Sequence, residues 1–386
     1  MNKAIPARLH VLTLTPFYPF AGNEVNGCFV AESLQQIERQ GAVSSVIAVD
    51  SVYHARKNPS TESPAEWIRY PQLPGNFGLS SAGGFLGAVL LGRVGRLHRR
   101  SPIDVIHAHA ALPCGHAATF LSHRLGIPFV VTIHGLDVFN RCFQDGMAAR
   151  WRRKVSTEVY KKARKVICIS DKVRQLLTDG LSEVSGLVVY NGTDPDLFTP
   201  GSAQDEAPTI LVVGTLLAGK GQELVLRAFA RIRNSHPGLK VILVGEGGDR
   251  ERFAALAKDL GIINQVYFQG RLGRREVAEA MRKCMVFVLP SRFEGLGCVY
   301  LEAMASGKPV IGCRGQGIEE IIRHGDNGWL IPVEGLEELV QGFQTLLADA
   351  PLRARIGQAA RQTILDKLTL AHQAENLMRI YQEAAE

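Results

Sequence analysis

The sequence predicts an α/β protein made of two doubly wound, parallel-sheet domains in tandem. Three observations carry that expectation. Short continuous Val/Ile/Leu runs alternate with amphipathic stretches, the pattern of parallel strands covered on both faces by helices. One stretch rich in Pro, Gly and charge interrupts this alternation, which then restarts. And 386 residues are many for a single core, so two domains are expected.

In chain order, "RLHVLTLT" leads to a helix from about Cys28 to Gln40 and then to "VSSVIAVD". "DVIHAHA" is followed by a helix through "AATFLSHRLG" and by "PFVVTIHG", and "KVICIS" by "DKVRQLLTDG" and "GLVVYNG". "DPDLFTPGSAQDEAPT", Asp194 to Thr209, has the composition of a linker. After it come "TILVVGTL", a helix to about Asn234, "KVILVGEG", a helix to Leu260, "QVYFQG", "EVAEAMRKC" and "MVFVLPS". "PVIGC", "IEEIIRHG", "GWLIP" and three helices finish the chain. The expected domains are residues 1–200 and 201–368, with ligands held at the carboxyl ends of the strands, where such folds bind them.

Composition excludes several classes. With 46% apolar and 21% charged residues the chain is globular and not disordered. Seven cysteines without a C-x-x-C pair point to neither a disulfide framework nor a zinc ribbon, and fit reduced thiols. The opening "MNKAIPARLHVLTLT" contains Thr13 and Thr15 and runs into "PFYPF" without a small-residue cleavage site, so it reads as a strand rather than a signal peptide. "AGGFLGAVLLG", Ala82 to Gly92, is too short to span a bilayer. The expected location is therefore cytoplasmic, with association at the inner membrane face left open.

The net charge of +7 is unevenly placed. Residues 1–200 hold 22 Lys and Arg against 15 Asp and Glu, a difference of +7, and the remaining 22 and 22 cancel. The excess lies in "RVGRLHRR", Arg93 to Arg100, and in the run from Arg150 to Lys165. Such runs are either solvated helix faces or a surface that meets an anionic partner such as phospholipid headgroups. They lack interleaved aromatics, which argues against nucleic acid.

Chemistry concentrates in the second domain. In "VVGTLLAGKGQE" a strand gives way to a glycine-containing loop, and Lys220-Gly221 open a helix, an arrangement suited to phosphate. It is not a Walker loop, because Gly221 follows Lys220 where Ser or Thr would be needed. The alternative is a plain strand-turn-helix with a solvated lysine. "VGEGGDRERF" repeats the design around Gly247, and "FQGRL" ends a strand at Gly270 and Arg271. Parallel strands place these turns along one sheet edge, the setting of a nucleotide site.

"RFEGLGCVYLEAMASGKPVIG" joins the same edge. Gly295 and Gly297 allow close approach of backbone to a ligand, and a helix is expected from about Cys298 to Ser306, stopped by Gly307. Glu294 precedes that helix and Glu302 lies little more than a turn inside it. Neither has an obvious cationic partner within a turn. Taken singly, Glu302 could be an exposed helical glutamate and Glu294 a residue complementing the helix dipole.

The run from Glu294 to Ile311 resembles the E-G-[LF]-G-x4-E-A-M-A-x-G-x-P-V-I signature of retaining, nucleotide-sugar-dependent glycosyltransferases of family 4, which have the two-domain glycosyltransferase-B architecture. "FYPFAGNEVNGCFV", "IDVIHAHAA", "PFVVTIHGLDVF", "VYNGTDPDLF", "VVGTLLAGKG", "VGEGGDRERF", "FQGRL" and "GIEEIIRHGDNGWLIP" match in order, so the resemblance covers essentially the whole chain. "GCFV" near the start is most similar to a bacterial branch that includes teichuronic-acid and other surface-polysaccharide transferases.

The resemblance implies two Rossmann-like domains facing across a cleft, with a C-terminal helix, residues 369–386, packing back on the first. It assigns Glu294 to the donor-sugar hydroxyls, and the turn Gly295, Leu296, Gly297 and Cys298 to the sugar and diphosphate. Glu302 takes the ribose diol, and Lys220 the leaving diphosphate. Gly247 and Arg271 would frame the base. From the first domain, Gly27 would bring backbone to the diphosphate and His134 would face the reacting sugar, making Glu294, Lys220 and His134 the expected catalytic set. Where many relatives carry a second diphosphate arginine this chain has Thr215, so Lys220 acts alone or Arg271 or Arg274 assists.

The implied reaction moves a sugar from a UDP- or GDP-sugar to a hydroxyl of a glycan or lipid-linked acceptor with retained configuration, and needs no metal or other cofactor. No second carboxylate is placed as a covalent nucleophile, unlike in retaining hydrolases. A nucleotide-sugar 2-epimerase of the same fold and a non-catalytic sugar-nucleotide-binding protein are the alternatives. Asp194 and Asp196 form an Asp-x-Asp within a turn, which argues against a metal role. His107, His109 and His116 could in principle ligate zinc, but packed histidines are the plainer reading.

Overall fold

The computed structural model describes residues 8–20, 23–53, 64–135, 146–202 and 207–386. Contacts divide the chain into two compact units, Met1–Tyr190 with Leu370–Glu386, and Asn191–Thr369.

The first unit contains a seven-stranded sheet built from β1 (His10–Thr15), β2 (Val43–Ser51), β3 (Glu66–Tyr70), β4 (Val105–His109), β5 (Phe129–Ile133), β6 (Lys165–Cys168) and β7 (Gly186–Val188). All its pairings are parallel, in the order β3-β2-β1-β4-β5-β6-β7. Every residue of β1, β4 and β5 is buried, polar His10, Thr13, Thr15, His107, His109 and Thr132 included, as strands covered on both faces are. Edge strand β3, "EWIRY", carries charge and partly exposed positions, and the strand pattern of the sequence did not mark it.

The helices of this unit are α1 (Cys28–Arg39), α2 (Gly78–Arg100), α3 (His116–Leu125), α4 (Met147–Lys162) and α5 (Asp171–Gly180). A last helix, Leu370–Ala385, also belongs to it. Ala374, Leu377, Ile380 and Tyr381 of that helix share one core with Val30, Leu34 and Ile37 of α1 and with Val11, Val105 and Val130 of the sheet. Each of the Val, Leu and Ile side chains among them contributes roughly 1.5–3 kcal/mol by burial.

The second unit has a six-stranded, all-parallel sheet in the order β10-β9-β8-β11-β12-β13. Its strands are β8 (Thr209–Val213), β9 (Lys240–Val244), β10 (Val266–Gly270), β11 (Val286–Val288), β12 (Val310–Cys313) and β13 (Trp329–Ile331). Its helices are α6 (Gln222–Ile232), α7 (Arg250–Asp259), α8 (Arg274–Lys283), α9 (Cys298–Ala305), α10 (Leu336–Ala348) and α11 (Ala350–Lys367), which makes Leu370–Ala385 α12.

In both sheets the order reverses beside the first strand, between β1 and β4 and between β8 and β11. Connections leave such a pair in opposite directions and open a crevice at the carboxyl ends.

The first part of the stretch that reads as a linker, residues 194–200, is tied into the fold. Phe198 is fully buried and Arg361 of α11 donates to its carbonyl at 3.0 Å, so residues 191–200 travel with the second unit. Gly307 closes α9 in the left-handed region, φ 69°, as the sequence predicts.

Candidate active site

The loops after β8 and β11 meet at the reversal point of the second sheet. Gly221 opens α6 with φ 79°, and a Cβ there would lie 2.1 Å from the Pro290 carbonyl oxygen. Only glycine fits that approach. Arg292 N–H donates to the Gly219 carbonyl at 2.9 Å, tying the two loops together.

This brings Lys220 Nζ to 2.7 Å from Glu294 Oε2. Both side chains remain reachable, at 30% and 15% exposure. The loop after β12 braces the glutamate: Gln316 Oε1 accepts from Glu294 N–H at 3.0 Å, and Gly317 N–H donates to the Glu294 carbonyl at 3.2 Å. A Cβ on Gly317 would meet the Gly295 oxygen at 1.7 Å, so that packing also demands glycine.

Gly297 caps α9 with φ 79° against the Tyr300 ring. Tyr300 donates to the Leu289 carbonyl, and burial, helped by the Glu294 charge, pushes its hydroxyl well above the usual range. Leu296 is fully buried. Cys298 is the first residue of α9, and its Sγ accepts from Asn191 Nδ2 at 3.4 Å. Tyr300 N–H donates to the Gly297 carbonyl at 3.0 Å, closing the first turn of α9, and a helix N-terminus of this kind is suited to anions.

Glu302 is buried, not exposed, and its carboxylate pairs with the Arg274 guanidinium. Arg274 lies on the Phe198 ring, 4.8 Å from its centroid. Arg271 pairs with Glu246 at 2.8 Å on an exposed surface. Thr215 is exposed, and its carbonyl accepts from Gln222 Nε2 at 2.9 Å. A Cβ on Gly247 would sit 2.3 Å from the Leu216 carbonyl oxygen, and Leu216 N–H donates to the Glu246 carbonyl at 3.0 Å.

The second unit thus gathers Thr215, Lys220, Gly247, Glu294, the 295–298 turn and Glu302 along one sheet edge. Sequence reasoning missed Gln316 as the brace of Glu294. It also missed that both glutamates hold cations from distant loops, because pairs so far apart in the chain leave no local spacing signal.

In the first unit, Gly27 precedes α1 with φ 69°, and a Cβ there would collide with the Phe17 backbone at 2.2 Å. Asn26 Nδ2 donates to the Tyr18 carbonyl at 2.9 Å, fixing the same turn. His134 follows β5, and its ring centroid lies 5.5 Å from that of Phe17 and 5.1 Å from that of Phe29. The rest of "LDVF" after it falls outside the described residues.

His134 Nε2 and His109 Nδ1 are 2.9 Å apart, one donating and the other accepting. His107 is held by Tyr381 Oη and Thr132 Oγ1, each at 2.7 Å. Burial lowers all three imidazoles, His134 to about 4, His107 to about 3 and His109 well below its ordinary value. At neutral pH the cluster is uncharged and acts by directed hydrogen bonds. Among the described residues no three His, Cys, Asp or Glu side chains converge as a metal site.

Comparison with known proteins agrees with this fold. Residues 29–197 match the family described as glycosyltransferase family 4, and residues 195–363 match glycosyl transferases group 1. An uncharacterised glycosyltransferase of Methanocaldococcus jannaschii is 30% identical over 264 residues, covering 67% of this chain and 70% of its own. Sucrose-phosphate synthase from Thermosynechococcus elongatus is similar in fold at a TM-score of 0.80 and 20% identity, over 97% of this chain and 99% of that one. HepE of Anabaena, solved with UDP and glucose, gives a TM-score of 0.77 at 20% identity, over 97% and 100%. The chain is therefore a glycosyltransferase of the glycosyltransferase-B fold and belongs to glycosyltransferase family 4.

Proposed function

We propose that this enzyme transfers a sugar from a UDP- or GDP-sugar to a hydroxyl of a glycan or lipid-linked acceptor, with retention of anomeric configuration and without a metal. The Lys220–Glu294 pair at the reversal point of the second sheet carries the reading. An ammonium suits the diphosphate that becomes the leaving group, and the carboxylate beside it suits sugar hydroxyls. The first turn of α9 supplies N–H donors to the same phosphates. Glu302 is assigned to the ribose diol, the device dinucleotide folds also use. HepE, with UDP and glucose bound, supports a uridine donor. Gly27 and His134 keep the donor-side roles implied by the family resemblance.

In the step we envisage, the bond from the anomeric carbon to the phosphate oxygen breaks as the acceptor oxygen bonds the same face of that carbon. The acceptor proton passes to the departing phosphate, which leaves as the nucleoside diphosphate. Lys220 offsets the charge that develops there. A panel of UDP- and GDP-sugars tested for thermal stabilisation, followed by NMR of the transferred sugar, checks the proposal. An inverted product overturns retention; stabilisation by neither nucleotide series overturns the donor class.

A membrane-facing acceptor is favoured by one further observation. Phe85 and Val89 are exposed on α2, at 43% and 46%, and continue at helical spacing into exposed Arg93, Arg96 and Arg100. An apolar patch running into cations fits the headgroup boundary of an anionic bilayer. No described helix is long and apolar enough to cross a membrane. Co-sedimentation with anionic vesicles at low salt, lost in Phe85→Ser/Arg96→Ser, is expected; wild-type protein left in the supernatant overturns the contact.

A further inference from the structure

Arg274, which the sequence offered only as an assistant to Lys220 at the diphosphate, occupies an unusual place. It is the first residue of α8, immediately past the loop that ends β10. Its side chain is only 14% exposed, and Glu302, its partner, is 5% exposed. The Phe198 ring forms a floor 4.8 Å below the guanidinium carbon, and Phe198 is itself fully buried and anchored through its carbonyl by Arg361. The guanidinium is therefore held on one face by an aromatic ring and at its edge by Glu302 Oε1. Arginine suits this position better than lysine, because its planar group can stack and donate at once.

A carboxylate has two oxygens and about four acceptor directions. One donor on Oε1 orients the group and leaves the remaining directions for other donors. A lone carboxylate as buried as Glu302 would otherwise pay a large desolvation penalty. We propose that Arg274 is a positioning residue for ribose recognition: stacked on Phe198, it holds Glu302 so that the remaining carboxylate lone pairs receive the ribose 2′- and 3′-hydroxyls. The proposal rests on the assignment of Glu302 to ribose. It also gives Phe198, in the turn after "GTDPD", a function beyond filling space.

The test compares UDP and GDP with their 2′-deoxy counterparts in titration calorimetry on the full-length enzyme, for wild type, Arg274→Gln, Arg274→Lys and Glu302→Gln. Wild type is expected to favour the better ribonucleotide over its deoxy form by about tenfold, the worth of a hydrogen bond to a charged group. Glu302→Gln and Arg274→Gln should both erase that preference, with a smaller loss on the deoxynucleotide, which still presents its 3′-hydroxyl to residue 302. Arg274→Lys, which keeps the charge without the fork, should fall between.

Arg274→Gln that retains the full ribo-over-deoxy ratio overturns the proposal, as does an equal loss on both nucleotides, which marks damage elsewhere. If Arg274→Gln does not fold, Arg274→Lys decides by the same ratio. Glu302→Gln that keeps the preference, or a wild type without one, sinks the ribose assignment itself and the proposal with it. That outcome is distinct from loss in Glu302→Gln with retention in Arg274→Gln, which sinks only the role of Arg274.

Discussion

Lys220 and Glu294 stand 74 positions apart in the chain and 2.7 Å apart in space. The connection is made by backbone, through Gly221 against Pro290 and Arg292 against Gly219. Charges placed by interlocked loops need little reorganisation when a ligand replaces one partner, which is how preorganised sites favour developing charge.

Lys220→Ala should lower kcat/KM by roughly 10²–10³-fold, the range for removing one donor to a developing anion. Because the two side chains touch, Glu294→Gln in the Lys220→Ala background should cost less than in wild type. Steady-state transfer rates on a double-mutant cycle measure this. Independent, additive losses would show that the ion pair and the site are unrelated.

Gly221→Ala should destabilise the second unit by about 2–4 kcal/mol, since it combines positive φ with a collision against the Pro290 backbone. Gly219→Ala, two residues earlier, meets nothing within 4 Å and should melt within about 0.5 kcal/mol of wild type. Urea titration of the two variants separates a packing requirement from general intolerance of the loop.

Acid should destabilise the first unit in a defined window. His107 and His134 titrate near 3 and 4 when folded but near 6.5 when unfolded. The unfolded chain therefore binds more protons between those values, so stability is undiminished above about pH 6.5 and falls as pH drops toward 4. Each histidine contributes a slope approaching about 1.4 kcal/mol per pH unit. Unfolding midpoints between pH 4 and 8 should show this, and His107→Gln should flatten it. A midpoint that rises on acidification contradicts the buried, neutral cluster.

Dialysis against EDTA should leave transfer unchanged. Asp194 Oδ1 already accepts from the N–H groups of Asp196 and Leu197, at 2.9 and 3.4 Å, so it serves a turn. Loss of activity with recovery on added Mn²⁺ or Mg²⁺ would falsify the metal-free reading.

Much of the fold was legible because a parallel sheet writes itself as near-continuous apolar runs; "TILVV" and "FVVTI" are buried at every position. The glycine turns were legible for a similar reason, since backbone approach excludes every other residue. Pairings were not. Nothing local in "GRREVAEAM" announces that Arg274 will meet Glu302, and nothing in "HAHA" announces that His109 will bond His134. Likewise "DPDLFTP" has linker composition, and only its tertiary neighbours reveal that Phe198 is core. Edge strand β3 escaped because half-covered strands admit charge.

The last helix sets an order of events during synthesis. Val30, Leu34 and Ile37 of α1 leave the ribosome early, but the helix that covers them, Leu370–Ala385, is translated only after the whole of Asn191–Thr369. At 5–20 residues per second, synthesis of Asn191–Thr369 alone lasts roughly ten to forty seconds. Throughout it the face of α1 that the last helix covers lacks that cover, so the first unit's core closes only after the second unit has been made.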